Sequence, residues 1–522
     1  MSSRPKRIGV VGAGTMGAGI AQLAAAAGIE TALHDPAGNA LDAGLERVRG
    51  GLAKWVEKGR AEAGDTELLD PAPTLEDLAG CDLVIEAAPE RLELKQELFT
   101  SLAAICGPDA VLATNTSSIP VTAIASALPR PENVVGMHFF NPPPLMRLLE
   151  VIRADQTSER ALALARATGE AMGKDVIVAT DGPGFLVNRC GRPFYTEALR
   201  IVQERLATPE QVDRVCRLGG GFRMGPFELM DLVGVDVGLA VAQSFAELSF
   251  GEPRWRPNPL QAKLVAAGRL GRKSGRGWYD YADGSHRPDD PAPLSLGGGA
   301  GRVVEIEGDG TLARELRERA AAAGFSVREP GSLGGERPDL IVDMSLGQRA
   351  APDPAAEAGV AGVPAKAGGP PLLLLCADRA LAARAEPHAV GFHLLPPLAD
   401  AQLVELTRRP STPDAAAAAA ERFFADLGFH REWVEDAPGL VLGRIVCQLV
   451  NEAMFAVGEG VGSAADVDAG LILGLNYPRG ALAWGAEIGL AQVLAMVDGL
   501  WAERHEDRYR AAPELRRAVR VG

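Results

Sequence analysis

Paired cysteines, surplus positive charge and long apolar runs are scarce in this sequence, and each shortage removes a class of protein. Six cysteines (Cys81, Cys106, Cys190, Cys216, Cys376, Cys447) are scattered along 522 residues. They show no CxxC or zinc-type spacing, so neither a disulfide framework nor a metal site is expected, and the chain suits a reducing cytoplasm. Lysine and arginine number 53 against 68 aspartates and glutamates, a formal net charge of -15. Binding a phosphate backbone usually needs a basic face, so nucleic acid is not an expected partner. No apolar run approaches the roughly 18–20 residues of a membrane-spanning helix, and no membrane association is expected.

The N-terminal stretch "RPKRIGVVGAGTMGAGIAQLAAAAG" has the charge and small residues of a secretory signal. Its glycines argue instead for a strand ("RIGVV"), a turn ("GAGTMG") and a helix ending at Gly28, followed by a second strand, "TALHD".

A chain of 522 residues is too long for a single core, and self-similarity shows how it divides. "RIGVVGAGTMGAGIAQLAAAAGIET" is echoed by "RVVEIEGDGTLARELRERAAAAGFSV", and "VVGMHFFNPPPLMRLLEVIR" by "AVGFHLLPPLADAQLVELTR". "DGPGFLVNR" is echoed by "DAPGLVLGR" in the same order, which indicates a tandem duplication of a whole unit. A Pro, Gly and Asp-rich stretch separates the copies. Each copy begins with short strands alternating with helices, the pattern of a parallel α/β sheet, and ends in helices only. The expected organisation is an α/β domain over residues 5–184, a helical domain over 185–283, a linker over 284–301, a degenerate α/β domain over 302–436 and a second helical domain over 437–522.

Gly12, Gly14 and Gly17 fall in GxGxxG spacing between a strand and a helix. The first glycine permits the tight turn, the second lets backbone approach a pyrophosphate, and the third lets helix and strand pack closely. Asp35 closes the second strand, where an acid accepts from a ribose 2′-hydroxyl and repels a 2′-phosphate. A dinucleotide site preferring NAD to NADP is expected. His138 and Glu150, twelve residues apart, form a candidate acid-base pair; from spacing alone, a structural histidine in a Pro-rich loop is the favoured reading, and it is the residues around the pair that change this. "TNTSSI" places Asn115, Ser117 and Ser118 after an apolar run, in the kind of loop that binds ligands in such sheets. Lys54 and Lys58 share one face of a predicted helix and offer positive charge to an anionic ligand.

Together, "GAGTMGAGIAQ", "NTSS", "HFFNP" with Glu150, and "DGPGFLVNR" resemble the L-3-hydroxyacyl-CoA dehydrogenase family over residues 5 to about 283, and the whole chain resembles its long bacterial tandem members. The resemblance implies a Rossmann-like NAD-binding domain followed by a helical domain, oxidising the 3-hydroxyl of an acyl-CoA. His138 would be the general base and Glu150 would orient it, while Ser117 and Asn188 would hydrogen-bond the substrate. Glu90 and Lys95 would lie near the cofactor ribose, Asn115 near the nicotinamide, and Lys58 against coenzyme A, although Gly51 replaces a serine that often accompanies that contact. Helical domains pair between chains in single-copy relatives, so the two here are expected to dock as an intramolecular pseudo-dimer, with further oligomerisation open. Acyl chain length and pathway stay open. So do two rival readings: another β-hydroxyacid dehydrogenase, which would need a catalytic lysine absent from "GPGFLVNR", and a non-catalytic NAD-binding protein.

The second copy retains Gly308 and Gly310 but has Ala313 where the third glycine belongs, with Asp309 between them. "CADRAL" replaces "TNTSSI", and Gly443 stands for Asn188. His393 and Glu405 persist without those partners, and this copy is expected to be inactive.

Overall fold

The Val, Ile and Leu-rich runs of the first half are short and bounded by glycine or polar turns, which favours strands over buried helices. In the computed structural model, which describes residues 4–282, 284, 286–329, 337–346 and 369–521, they form β1 (Arg7–Val11), β2 (Glu30–His34), β3 (Leu69–Ala72), β4 (Leu83–Glu86), β5 (Val111–Thr114), β6 (Val134–Phe139), β7 (Leu148–Arg153) and β8 (Asp175–Thr180). Helices α1 (Thr15–Ala26), α2 (Gly38–Glu57), α3 (Leu92–Ile105) and α4 (Glu159–Ala171) alternate with them, and the short α5 (Val187–Cys190) follows β8. The expected strand, turn and helix therefore open the chain.

The strand order is β3-β2-β1-β4-β5-β6-β7-β8. β1 to β6 run parallel, β7 returns antiparallel beside β6, and β8 is parallel to β7. The order reverses at β1, so the carboxyl ends of β1 and β4 flank the crevice where such sheets take ligands. Ile8, Val10, Ile85, Val111 and Val135 are fully buried in the core beneath it.

The second half repeats the design. After α6 (Arg192–Gln203) and further helices come β9 (Val303–Glu307), β10 (Ser326–Arg328), β11 (Leu340–Asp343), β12 (Leu372–Leu375), β13 (Val390–His393), β14 (Leu403–Arg408) and β15 (His430–Trp433), then α7 (Leu442–Gly458) and α8 (Ala464–Leu475). This sheet runs β10-β9-β11-β12-β13-β14-β15, again with a single antiparallel step, β13 against β14. Residues 329–339 join β10 to β11, whereas residues 35–82 join β2 to β4. The shorter connection has no room for a helix of the length of α2.

By their contacts the residues group into two units, Met1–Arg189 with Glu459–Leu475, and Cys190–Gly458 with Asn476–Gly522. Helix α8 thus belongs with the first sheet, although the chain runs through the whole second sheet before reaching it. The expected linker, described except at residue 285, is tied to helical residues: Arg287 Nε donates to Glu228 at 2.6 Å, and Arg217 pairs with Asp290 at 2.8 Å. All six cysteines are buried. Among the described residues no single helix is long and apolar enough to cross a membrane, and no group of three or more acidic, histidine or cysteine side chains is placed to hold a metal.

Candidate active site

The glycine loop between β1 and α1 is fixed by hard sterics. Gly12 has φ +99°, a region side chains avoid. A Cβ on Gly17 would stand 1.7 Å from the Gly12 carbonyl oxygen, so no other residue fits there. At Gly14 an added Cβ would meet nothing within 4 Å, which leaves the loop's outer face open to a ligand at the start of a 12-residue helix. Asp35 lies just past β2 and accepts from the Ala13 N–H at 2.9 Å and the Ala37 N–H at 3.0 Å. Its carboxylate is thereby fixed beside the glycine loop, where a ribose acceptor is needed.

Lys95 on α3 is buried, 1% exposed, and its Nζ lies 2.6 Å from Glu86 and 3.4 Å from Glu90. Glu86 ends β4, fully buried, and also accepts from the Thr114 hydroxyl at 2.7 Å. Glu90 anchors the "NTSS" loop, accepting from the Thr116 and Ser118 hydroxyls at 2.6 and 2.9 Å and from the Ser117 N–H at 3.1 Å. Burial pushes the Glu90 carboxyl up, but the Thr116 hydroxyl, the Lys95 ammonium and the Ser118 hydroxyl outweigh it and hold the group below its ordinary value. Asn115 Oδ1 accepts from the Phe139 N–H at 2.8 Å, tying the same loop to the residue after His138. Ser117 itself is exposed.

The twelve-residue spacing of His138 and Glu150 has a simple geometric origin. β6 and β7 form an antiparallel pair in which His138 lies directly opposite Glu150. His138 Nδ1 and Glu150 Oε2 are 2.6 Å apart, with the histidine 6% exposed and the glutamate fully buried. An ionised carboxylate only accepts, so Nδ1 carries the proton and Nε2 is left as the base. Glu150 Oε1 accepts from the Leu186 and Val187 N–H groups at 3.2 and 3.0 Å. The carboxylate thereby caps α5, the helix that carries Asn188. Phe140 and Phe185 flank the imidazole at ring-centroid distances of 4.7 and 5.7 Å.

Lys54 lines a cleft of about 380 Å³ between α1, α2 and the Pro-rich loop, together with Arg47, Gln22, Gly51, Pro142 and Pro144. Lys58 lies at the carboxyl end of α2, exposed and outside that lining. Gly51 packs on Gln22, whose Oε1 a Cβ would approach to 2.2 Å.

The residues thus gather into two sets: His138, Glu150 and Asn188 through α5, and Glu90, Lys95, Asn115 and Ser117 through the loop after β5. Sequence reasoning missed Glu86, which reads as an ordinary acid at a strand end, and Arg47, whose seven-residue spacing from Lys54 was the available signal. It also missed Lys174, which donates to the Pro143 and Met146 carbonyls at 2.6 and 2.7 Å and braces the loop after β6.

In the second half His393 again faces Glu405 across an antiparallel pair, and Glu405 again caps the following helix, accepting from the Val441 and Leu442 N–H groups at 2.7 and 3.0 Å. The histidine, however, stands 3.9 Å from the carboxylate, and neither ring nitrogen has a hydrogen-bond partner. At Gly443 a Cβ would lie 2.4 Å from His393 Cε1. The imidazole fills the space that an asparagine side chain at this position would need.

Comparison with known proteins places this geometry. The family model "3-hydroxyacyl-CoA dehydrogenase, NAD binding domain" matches residues 7–182, and "3-hydroxyacyl-CoA dehydrogenase, C-terminal domain" matches 184–281 and again 439–522. The chain is 34% identical over 520 residues to a 3-hydroxyadipyl-CoA dehydrogenase of Escherichia coli (strain K12), covering 98% of this chain and 96% of that one. It is 41% identical over 285 residues to a 3-hydroxybutyryl-CoA dehydrogenase of Bradyrhizobium diazoefficiens, covering 54% of this chain and 97% of that one. A crystal structure of 3-hydroxybutyryl-CoA dehydrogenase from Escherichia coli K12 superposes with a TM-score of 0.80 at 33% identity, covering 99% of each chain. With a glycine loop open to NAD and a histidine-carboxylate pair on the same sheet, the chain belongs to the 3-hydroxyacyl-CoA dehydrogenase family.

Proposed function

We propose that the chain oxidises the 3-hydroxyl of an L-3-hydroxyacyl-CoA to the 3-oxo group with NAD, using the first half alone. The observation that carries this reading is the closed His138–Glu150 pair, at 2.6 Å. His138 Nε2 takes the hydroxyl proton as the C3–H hydride leaves, while Nδ1–H stays bonded to Glu150. The buried carboxylate stabilises the imidazolium that results. NAD, when bound, supplies the hydride acceptor. Gly12, Gly14 and Gly17 cradle its pyrophosphate and Asp35 accepts from its ribose, with Glu90 and Lys95 holding the adjoining loop and Asn115 beside the nicotinamide. Ser117 and Asn188 hydrogen-bond the substrate near the reacting oxygen. Lys54 and Lys58, joined by Arg47, meet the phosphates of coenzyme A, which an acidic protein must receive at a local basic patch.

The helical segments of the two copies pair within one chain in this reading. Its support is the packing of α6 against α7, where fully buried Arg444 donates to Glu197 at 2.8 Å and to Glu204 at 2.9 Å. The buried cysteines, scattered without CxxC spacing, suit a cytoplasmic enzyme.

The test is NADH consumption with acetoacetyl-CoA, the reverse reaction. Turnover is expected. NADH binding without turnover of any 3-oxoacyl-CoA from C4 to C16 would favour a non-catalytic role.

A further inference from the structure

Behind His138 and Glu150 the first sheet is covered by a helix from the degenerate half. Helix α8 presents Gly470 and Gly474, one turn apart on one face. A Cβ on Gly474 would lie 2.7 Å from Leu148 Cδ2, 3.1 Å from Val187 Cγ1 and 3.3 Å from Phe140 Cε1. One on Gly470 would lie 2.7 Å from Val187 Cγ2 and 3.3 Å from Ile177 Cδ1, and one on Gly462, just before the helix, 2.6 Å from Leu186 Cδ2.

Each of these five partners is linked to the catalytic pair by a hydrogen bond, a ring contact, strand register or a shared strand face. Leu186 and Val187 supply the two N–H groups that Glu150 Oε1 accepts. Ile177 is the register partner of Glu150 on β8. Leu148 precedes Glu150 by two positions on β7 and so shares its face, and Phe140 packs on the His138 ring. The segment is also pinned: Thr180 donates its N–H to the Val461 carbonyl at 2.8 Å and its hydroxyl to Gly460 at 3.1 Å, and Arg189 pairs with Glu459 at 2.7 Å.

We infer that α8, encoded in the copy without a working site, is a positioning element of the active site in the other copy, holding Glu150 and Phe140 through its glycine face. The inference rests on the oxidation proposed above. Glycine allows the helix axis to approach closely enough to seal Glu150 from water. A sealed carboxylate acts on the imidazolium through a lower effective dielectric than a hydrated one. A methyl group at either helix glycine must push Leu148, Val187 or the helix outward by several tenths of an ångström. Displacements near 1 Å at a reacting pair cost up to about a hundredfold in rate. A duplicated half with no chemistry of its own is retained, on this account, because the working half is incomplete without its helix.

The experiment compares Gly470→Ala, Gly474→Ala and Gly462→Ala with Ile472→Ala, which changes an outward residue of the same helix, 41% exposed. All are assayed with acetoacetyl-CoA and NADH, with kcat expressed per NADH-binding site. The glycine variants are expected to lower kcat about tenfold while leaving KM for NADH within about twofold. They should also move the basic limb of the pH profile in this reductive direction to lower pH, because the imidazolium must donate its proton and hydration of Glu150 weakens the hold on it. Ile472→Ala is expected to do neither. Glycine variants that lose melting temperature yet keep kcat and the pH profile of the parent would overturn the inference and leave α8 as mere cover. Gly462 meets only Leu186, apart from the Val187 contact that Gly470 and Gly474 share, so if one variant fails to fold the others decide. A parent enzyme silent toward every acyl-CoA tested would instead sink the activity, and the inference with it.

Discussion

The two histidine-glutamate pairs of this chain share strand register, spacing and a carboxylate that caps the next helix, and they differ in the hydrogen bond between the two side chains. His138 lies 2.6 Å from Glu150, whereas His393 lies 3.9 Å from Glu405. The difference separates two duties of one glutamate. Capping a buried helix start is structural and survives in both copies, because unpaired buried N–H groups are costly wherever they occur. Orienting a histidine is chemical and survives in one. Electrostatics follow the geometry: burial lowers His393 to about 3, and burial, opposed by the Leu442 and Val441 N–H groups and helped by the Glu432 charge, raises Glu405 to about 8. Near neutral pH both are uncharged, a state unfit for acid-base work but tolerable in a core.

The contrast can be broken by substitution at the carboxylate. Glu150→Gln is expected to lower kcat by about tenfold to a hundredfold, because the amide no longer stabilises the imidazolium, while Glu405→Gln leaves kcat within about threefold. Steady-state assays of both variants decide, and equal losses would erase the distinction. Cofactor binding sharpens it next. Titration calorimetry should find one NADH per chain, since Ala313 and Asp309 spoil the second loop, and Asp35→Ser should narrow the preference for NADH over NADPH by about tenfold. Two equivalent sites per chain would contradict the assignment. Smaller still is the effect at the cleft beside α2. Lys54→Met should raise KM for acyl-CoA about threefold with kcat unchanged, through loss of one partly screened contact to phosphate.

The smallest effect is on stability. Glu405 has a folded value of about 8 against an ordinary 4.5, so the folded state keeps a proton that the unfolded state has lost. Its contribution is full below about 4.5 and disappears as pH rises through 8. His393, at about 3 against an ordinary 6.5, acts with the opposite sign, adding stability as pH rises to 6.5. Between about pH 7, the folded value of buried Asp213, and pH 8, Glu405 titrates differentially, and the melting temperature of the parent should fall by about 1–2 °C per pH unit from this group. Glu405→Gln should flatten that slope in thermal melts, and an unchanged slope would show that Glu405 ionises freely.

What the sequence revealed was what local sterics dictate. GxGxxG was legible because Gly17 sits 1.7 Å, as an imagined Cβ, from the Gly12 oxygen, and the twelve-residue spacing was legible because a hairpin of fixed register repeats it. Lys54 and Lys58 were paired by helical spacing; Lys54 lines the cleft and Lys58 stands past it, at the helix end. Glu86 was hidden since nothing local distinguishes a glutamate buried against Lys95 from one in water. The placement of α8 was hidden for a related reason. Its glycine and apolar pattern announces a buried face, but not that the face lies against a strand pair some three hundred residues earlier (Leu148 against Gly474).

The most direct test of the account is to replace each histidine in turn and measure kcat with acetoacetyl-CoA and NADH. His138→Gln should lower kcat at least about a hundredfold and His393→Gln should leave it within about threefold; comparable losses from the two, or a retained rate in His138→Gln, would contradict the claim that one half does the chemistry.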